Sequence, residues 1–445
     1  MALFGTDGAR GVANRELTAE VALAIGKSAG AIWQSPARIL VGRDTRISSG
    51  MLEAGIAAGL SAMGVEVWLV GMLPTPALAY LIKAIGAEGG VMISASHNPP
   101  QYNGIKLLDG WGRKWAPDQE ALVENGLARA GEWTVGPERI GAIRHLEDDA
   151  VARYHHYLIE HFWGAVEPLH VVVDLAHGAA ISTAEPVLRR LGLRVSVING
   201  EPEGALINQR CGATHPQTLQ HKVVELGADL GFAFDGDADR LIAVDHLGQI
   251  VDGDGVLYAL AKGMKETQEL EGERVVATVM SNLGLERALE REGVQMVRTP
   301  VGDRWVAEEM RTAKAVLGGE QSGHIILKRW AETGDGLLTG LAVLREMARS
   351  GRRLAELTEP LVRYPQILHN VRVERPLDDW TVIPGLAEQV KCAERELGQD
   401  GRVLIRPSGT EPLLRIMVEG SHSGQIEKWT QALAKTVEAA LKEPV

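Results

Sequence analysis

Short runs of β-branched and other apolar residues alternate with segments whose apolar positions recur every three or four residues, almost from one end of the chain to the other. That alternation predicts strand–helix units with largely parallel strands. The first unit reads as a helix from Thr18 to Trp33, a strand at Arg38 to Val41, a helix from Ser48 or Ser49 to Met63, and a strand at Val65 to Val70. A helix from Pro76 and an apolar strand at Val91 to Ile93 complete it. Ser48 and Ser49 are the expected N-caps of their helix. A second unit has strands at Val171 to Val173, Val195 to Ile198 and Leu230 to Phe234. A third has them at Val275 to Thr278, Gln295 to Thr299 and Ala315 to Leu317. After Tyr364-Pro365 the order changes to strand, helix, two strands around Arg406 to Arg415, and a helix from about Gln425. The expected fold class is therefore α/β, with three similar α/β domains on mixed sheets and a smaller C-terminal α+β domain. The boundaries fall at 1–145, 146–250, 251–363 and 364–445.

Composition narrows the function. The 445 residues carry 46 basic and 58 acidic side chains, a net charge of −12, which argues against nucleic acid or a membrane surface as partner. An anionic substrate must then meet a local basic cluster. Two cysteines, Cys211 and Cys392, offer neither a disulfide framework nor a cysteine-based zinc site, which suits a reducing cytoplasm. The first residues show no basic region followed by an apolar run, so no secretory signal is expected. There are 51 glycines, above the usual ~7%, consistent with many tight loops that approach a ligand.

In each of the first three units a distinctive polar loop follows a buried strand, where open α/β sheets place their ligands. Asp235-Gly236-Asp237-Ala238-Asp239-Arg240 sets three carboxylates at alternate positions, so that they can converge on one hard cation. The calcium EF-hand reading fails, because Arg240 and His246 stand where glycine and glutamate are needed; magnesium fits better. Ser94 to Asn98 offers two hydroxyls beside His97, stiffened by Pro99-Pro100. Lys106, ten residues past Ser96, can reach the same place in a hairpin-like return and could serve as acid or base if neighbours lower its pKa. Arg406-Pro407-Ser408-Gly409-Thr410-Glu411-Pro412, followed by Arg415, combines guanidinium, hydroxyl and backbone donors suited to phosphate. Gly26-Lys27-Ser28 lacks the earlier P-loop glycine and Gly253-x-Gly255 lacks the third dinucleotide-fold glycine, so no nucleotide site is expected.

Taken together and in order, from Gly5-Thr6-Asp7-Gly8-Ala9-Arg10-Gly11 to Thr410-Glu411-Pro412, these loops resemble the α-D-phosphohexomutase superfamily over nearly the whole chain. Within it, the N-terminal motif, Pro300-Val301-Gly302-Asp303-Arg304, the Glu320 to His324 loop and the Arg406 to Pro412 loop look most like the bacterial branch that interconverts glucosamine 6-phosphate and glucosamine 1-phosphate on the route to UDP-N-acetylglucosamine. The resemblance implies four domains around a central cleft, a cytoplasmic isomerase, and a phosphorylated amino sugar as partner, with a homodimer left open. It implies that Ser96 is phosphorylated, and that one Mg²⁺ per chain is held by Asp235, Asp237, Asp239 and a phosphoserine oxygen at Ser96. A hexosamine 1,6-bisphosphate is the implied intermediate and activator.

By the same resemblance Arg10, Lys106, Arg240 and His324 lie near the transferred group, as does His97. Glu320 and Ser322 bind sugar hydroxyls, and Gly302, Asp303 and Arg304 contribute to sugar choice. Arg406, Ser408, Gly409, Thr410 and Arg415 hold the phosphate that is not reacting. Asp303 either pairs with the substrate's ammonium or orients Arg304. One departure is Ala238, where the family often has glycine; a positive φ there would strain the loop. The alternatives are a glucose or mannose phosphate mutase of the same superfamily, a phosphatase using Asp235 as nucleophile, and a non-catalytic sugar-phosphate sensor or scaffold.

Overall fold

A computed structural model of the chain describes residues 3–5, 7–373, 379–407 and 413–440. It contains two compact units, one of residues 1–278 with 297–359 and one of 279–296 with 360–445.

The first unit is built on three sheets. In the largest, of seven strands, Arg38–Arg43 runs parallel to both its neighbours, Glu66–Met72 and Gly89–Ile93. All five residues of Gly89–Ile93 are buried, as a strand covered on both faces must be. Tyr102–Asp109 turns back antiparallel beside it and pairs Met92 with Lys106, so the expected return of Lys106 is a strand. Helices Ala19–Trp33 and Ser49–Ala62 pack closely: a Cβ on Gly59 would lie 2.4 Å from the Leu23 carbonyl oxygen.

Thr18 caps the first of these helices by accepting from the Val21 N–H. Ser48 occupies the N-cap position of the second but makes no capping bond. Its hydroxyl instead accepts from Asn103, and Ser49 donates to Asp44. The expectation of a serine cap is corrected here, because a buried amide and a buried carboxylate take the two hydroxyls.

In the second sheet His170–Asp174 lies parallel between Arg194–Ile198 and Leu230–Phe234, and Leu241–Asp245 returns antiparallel. In the third, Leu317–Gly319 pairs parallel with Arg274–Thr278 and antiparallel with Ile325–Leu327. The sheets are thus mixed, as expected. Leu317–Gly319 begins two residues after the predicted Ala315, because Ala315 N–H still closes the preceding helix on the Met310 carbonyl while Lys314 sits at a φ of 54°.

The second unit carries a three-stranded antiparallel sheet in the order Gln366–Arg372, Leu413–Gly420, Gly401–Pro407. Leu386 from helix Leu386–Leu397, and Ile426 and Leu433 from helix Ser423–Ala440, share a core with Ile405, Ile416 and Val418 of the sheet. This is the strand, helix, two strands, helix order expected from the sequence. Among the described residues no helix is long and apolar enough to cross a membrane.

Candidate active site

Ser96 follows the buried strand Gly89–Ile93 and sits at a φ of 51°, a left-handed conformation that costs a non-glycine residue about 1–2 kcal/mol. A frame of charge-assisted bonds holds it there. Arg46, fully buried, spends all five of its N–H donors: Nε on Asp44 at 2.9 Å, Nη1 on the carbonyls of Pro99 (2.6 Å) and Tyr102 (2.9 Å), and Nη2 on those of Ser96 (3.0 Å) and Asn98 (2.7 Å). Asp44 also accepts from the Ser49 and Ser94 hydroxyls and the Arg46 N–H, and Ser94 in turn accepts from the Ser96 N–H at 2.9 Å. Asn208 adds bonds to the Ser96 and Asn98 carbonyls. The Ser96 hydroxyl donates to Asp235 Oδ2 at 2.7 Å.

Asp235, Asp237 and Asp239 are buried, and one carboxylate oxygen of each lies within 4.8 Å of the others. Gly236 between them lets the loop press on the serine turn, since a Cβ there would stand 2.6 Å from the Ser96 carbonyl oxygen. Burial, reinforced by Asp239 and Asp237, pushes the Asp235 carboxyl well above the usual range. Burial also opposes charge on Asp239, but His324, Lys106 and Arg240 outweigh it and hold that carboxyl below the usual range. Oδ1 of Asp237 and Oδ1 of Asp239 are buried without a hydrogen-bond partner. A buried carboxylate oxygen left bare is costly, and a hard divalent cation satisfies it. The donor set fits magnesium. Ala238 does take a positive φ, 55°, and is held by the Gly336 N–H, which donates to its carbonyl at 3.0 Å.

Around these two loops the structure gathers most of the cations expected. Lys106 donates to Asp237 Oδ2 at 2.8 Å and stands 3.5 Å from Asp7 and 3.9 Å from Asp239. Burial disfavours its charge, but Asp237, Asp7 and Asp239 prevail and raise its pKa above the ordinary lysine value. The condition set for acid or base work at Lys106, neighbours that lower its pKa, is therefore not met: its neighbours favour the charged form. Arg10 pairs with Asp7 and reaches Asn98 Oδ1 at 3.1 Å. The Arg240 N–H donates to Asp235 Oδ1, and its Nε is 3.9 Å from Asp235 and from Asp239. His97 Nδ1 is 3.4 Å from the Ser96 hydroxyl; burial, with Arg240 and Arg10 nearby, lowers its pKa to about 3, so the ring is neutral.

His324 Nδ1 lies 3.5 Å from Asp239, and its Nε2 accepts the Gly334 N–H at 3.0 Å. Burial opposes a charged ring, but the hydrogen bond to Asp239 and the charges of Asp239 and Asp303 outweigh it and raise the His324 pKa. The Gly334 bond requires a lone pair on Nε2, which leaves the proton on Nδ1, facing Asp239. Glu320 accepts the Gly302 N–H at 3.0 Å and lies 3.5 Å from the Ser322 hydroxyl. Asp303 is engaged by Lys114, and Arg304 donates to Glu120 at 2.9 Å and to the Trp115 carbonyl at 2.7 Å. In the second unit, Arg406 and Arg415 stand directly opposite each other on neighbouring strands, and burial together with Arg415 lowers the Arg406 pKa. Ser408, Gly409 and Thr410 lie outside the described residues.

Sequence reasoning passed over Asp7, Asp44, Arg46, Thr75, Lys114 and Asn208. Asp44 and Arg46 carried a usable signal, since Arg43-Asp44-Thr45-Arg46 is the polar loop after strand Arg38–Arg43, the parallel neighbour of the strand that leads to Ser96. The others act across long sequence separations.

Known proteins match this arrangement along its length. The phosphoglucomutase/phosphomannomutase models match as alpha/beta/alpha domain I at residues 1–132, domain II at 152–248 and domain III at 252–364, and the C-terminal domain at 368–436. A phosphoglucosamine mutase of Desulforamulus reducens is 46% identical over 444 residues, covering 98% of this chain and 99% of the relative. One of Rhodococcus jostii is 47% identical over 445 residues, with the same coverage. A phosphoglucomutase/phosphomannomutase family protein from Burkholderia thailandensis superposes with a TM-score of 0.84 at 25% identity, over 100% of this chain and 98% of that one. Aspergillus fumigatus N-acetylphosphoglucosamine mutase, solved with GlcNAc-6P and magnesium, shares the fold with a TM-score of 0.66 at 18% identity, over 99% of this chain and 96% of that one. With four domain models in register and relatives nearly half identical from end to end, the chain belongs to the phosphoglucomutase/phosphomannomutase family of α-D-phosphohexomutases.

Proposed function

We propose that the chain interconverts glucosamine 6-phosphate and glucosamine 1-phosphate, with phosphorylated Ser96 as the group that gives and regains the phosphoryl. The observation that carries the transfer chemistry is the buried Ser96 hydroxyl 2.7 Å from Asp235, at the edge of a carboxylate cluster with two unpartnered oxygens. The amino-sugar assignment rests on the full-length relatives at 46% and 47% identity.

Asp235, Asp237 and Asp239 would hold Mg²⁺, which supplies charge neutralisation for the phosphoryl oxygens. The bond from phosphorus to Ser96 breaks as the bond to the free sugar hydroxyl forms, giving a bisphosphate; the proton lost by the sugar is matched by the one Ser96 regains. The bisphosphate turns over, and its other phosphoryl returns to Ser96. Arg10, Lys106 and Arg240 stabilise charge as it shifts between the two oxygens, a task for which a lysine locked in its charged form is suited. His324 turns Nδ1 toward Asp239 and orients that carboxylate. Glu320 and Ser322 grip the ring hydroxyls. Arg406 and Arg415 stand side by side across their strand pair, and with Ser408, Gly409 and Thr410 they hold the phosphate that is not reacting.

Asp303 is paired with Lys114, which favours its role as an organiser of the Gly302, Asp303 and Arg304 loop over direct pairing with the substrate's ammonium. The test is kcat/KM for glucosamine 1-phosphate and glucose 1-phosphate, with wild type and Asp303→Asn, beside a phosphopeptide map of active enzyme. The reading expects phosphate on Ser96, preference for the amino sugar, and equal losses on both sugars in the variant. A wild-type preference for glucose 1-phosphate overturns the substrate assignment, and active enzyme without phosphoserine overturns the mechanism.

A further inference from the structure

Thr75 opens helix Thr75–Ile85 between two prolines, Pro74 and Pro76, whose fixed φ stiffens the turn. Its hydroxyl, on a side chain 3% exposed, donates to Asp237 Oδ2 at 2.6 Å, and its backbone N–H donates to the Asp237 carbonyl at 3.0 Å. Lys106 donates to the same Oδ2 at 2.8 Å. One oxygen of Asp237 thus carries two strong donors while the other, Oδ1, is buried with none. Such a carboxylate can give a cation only one oxygen.

We infer that Thr75 is a positioning residue that keeps Asp237 a one-oxygen ligand and thereby biases the aspartate loop toward magnesium and away from calcium. The inference rests on the metal reading of that loop. Magnesium demands six ligands in a near-regular octahedron, which single carboxylate oxygens supply, whereas calcium takes six to eight and commonly grips a carboxylate by both oxygens. With Thr75 removed, Oδ2 keeps only Lys106, and Asp237 gains freedom to swing both oxygens to the larger ion. Thr75 lies 162 residues from Asp237 and belongs to the domain that carries Ser96, so the same contact holds the serine turn and the aspartate loop in register. Hydrogen bonds of this outer kind typically change metal affinity 10- to 100-fold when lost.

Isothermal titration of the full-length chain with Mg²⁺ and with Ca²⁺ tests this without any sugar. For Thr75→Val, which keeps the shape and loses the hydroxyl, we expect Mg²⁺ to bind about tenfold more weakly and the preference for Mg²⁺ over Ca²⁺ to fall by a similar factor. Thr75→Ser, which restores the hydroxyl, should keep the wild-type ratio. Thr75→Ala repeats the measurement in the event that valine disturbs the fold. An unchanged Mg²⁺/Ca²⁺ ratio in the folded Val or Ala variant, or a Ser variant that behaves like Val, overturns the role of Thr75 alone. A wild-type chain that binds neither ion overturns it together with the metal reading.

Discussion

The serine turn and the aspartate loop touch through one hydrogen bond and resemble each other in backbone, each following a buried strand and each carrying a non-glycine residue at positive φ, Ser96 at 51° and Ala238 at 55°. Their polar groups are treated in opposite ways. In the serine turn every side-chain donor of Arg46 finds Asp44 or one of four backbone carbonyls, and both oxygens of Asp44 accept. In the aspartate loop three buried carboxylates crowd together, and two of their oxygens have no partner. A satisfied frame has no reason to move, which suits a hydroxyl that must meet two different phosphoryl acceptors in the same place. An unsatisfied cluster is poised to bind, because a cation relieves an existing penalty. Rigidity and affinity are thus divided between two neighbouring loops.

The sharpest test of the division is Ser96→Ala. It removes the transferring oxygen while leaving the Arg46 frame whole, so turnover should fall about 10⁴-fold, roughly 5.5 kcal/mol of barrier, with little change in thermal midpoint. A variant that retains a tenth of wild-type kcat breaks the comparison at its root. Next, Arg46→Met strips the frame and leaves Asp44 buried without its counter-charge; urea unfolding should report a loss of about 3–5 kcal/mol. A loss below about 1 kcal/mol would show that the turn holds itself.

A third effect is on pH dependence. Asp335 caps helix Gly336–Ser350, whose Gly336 N–H holds Ala238, and burial pushes its carboxyl up to about 6 despite the bond from Tyr154. A carboxyl raised on folding stabilises the fold at low pH, and that contribution disappears as pH climbs through about 6. Between pH 4 and pH 7 wild type should therefore lose about 2 kcal/mol relative to Asp335→Asn, measured as the gap between their unfolding free energies. A constant gap would remove Asp335 as support for the aspartate loop.

Much of this was visible in the sequence, for reasons specific to the residues concerned. Strand Leu230–Phe234 runs as read, because an apolar run bounded by turn residues leaves little choice. The loop after Leu230–Phe234 stood out because alternating acids are hard to explain otherwise. What stayed hidden was partnership at a distance. Nothing near Asp237 announces Thr75, and Asn208 has no local reason to be tied to Ser96. Lys106 shows the same limit: its place beside the loop was foreseen from chain return, but its charge state depends on Asp7 and Asp237, which only the fold brings to it. Ser48 failed as a cap for the related reason that a more demanding partner, Asn103, arrives from another strand.

Two smaller effects complete the series. Asp237→Asn should slow turnover at least tenfold, about 1.4 kcal/mol, and shrink the rise in thermal midpoint that saturating Mg²⁺ gives wild type; an undiminished rise would take Asp237 out of the metal site. Ala238→Gly relieves a left-handed strain of about 1–2 kcal/mol but adds about 0.5–1 kcal/mol of backbone entropy to the unfolded chain, so chemical denaturation should show a net gain of about 0.5 kcal/mol. A net loss would mean that the buried alanine methyl contributes more packing than its backbone strain costs.

The Arg46 frame also carries a consequence for how the protein is made. Arg46, Asp44, Ser49, Ser94 and the carbonyls they bind all precede the end of strand Tyr102–Asp109, whereas the aspartate loop awaits its own residues and then the Gly336 N–H. Because domains leaving the ribosome fold from the N-terminus, the serine turn takes shape while most of the chain is still unmade. Nearly one hundred residues separate Ala238 from the donor that secures it, so the charged half of the site closes late. The nascent chain thereby keeps its three crowded carboxylates in water until those further residues are made, and buries them only when the groups that tolerate them are already in place.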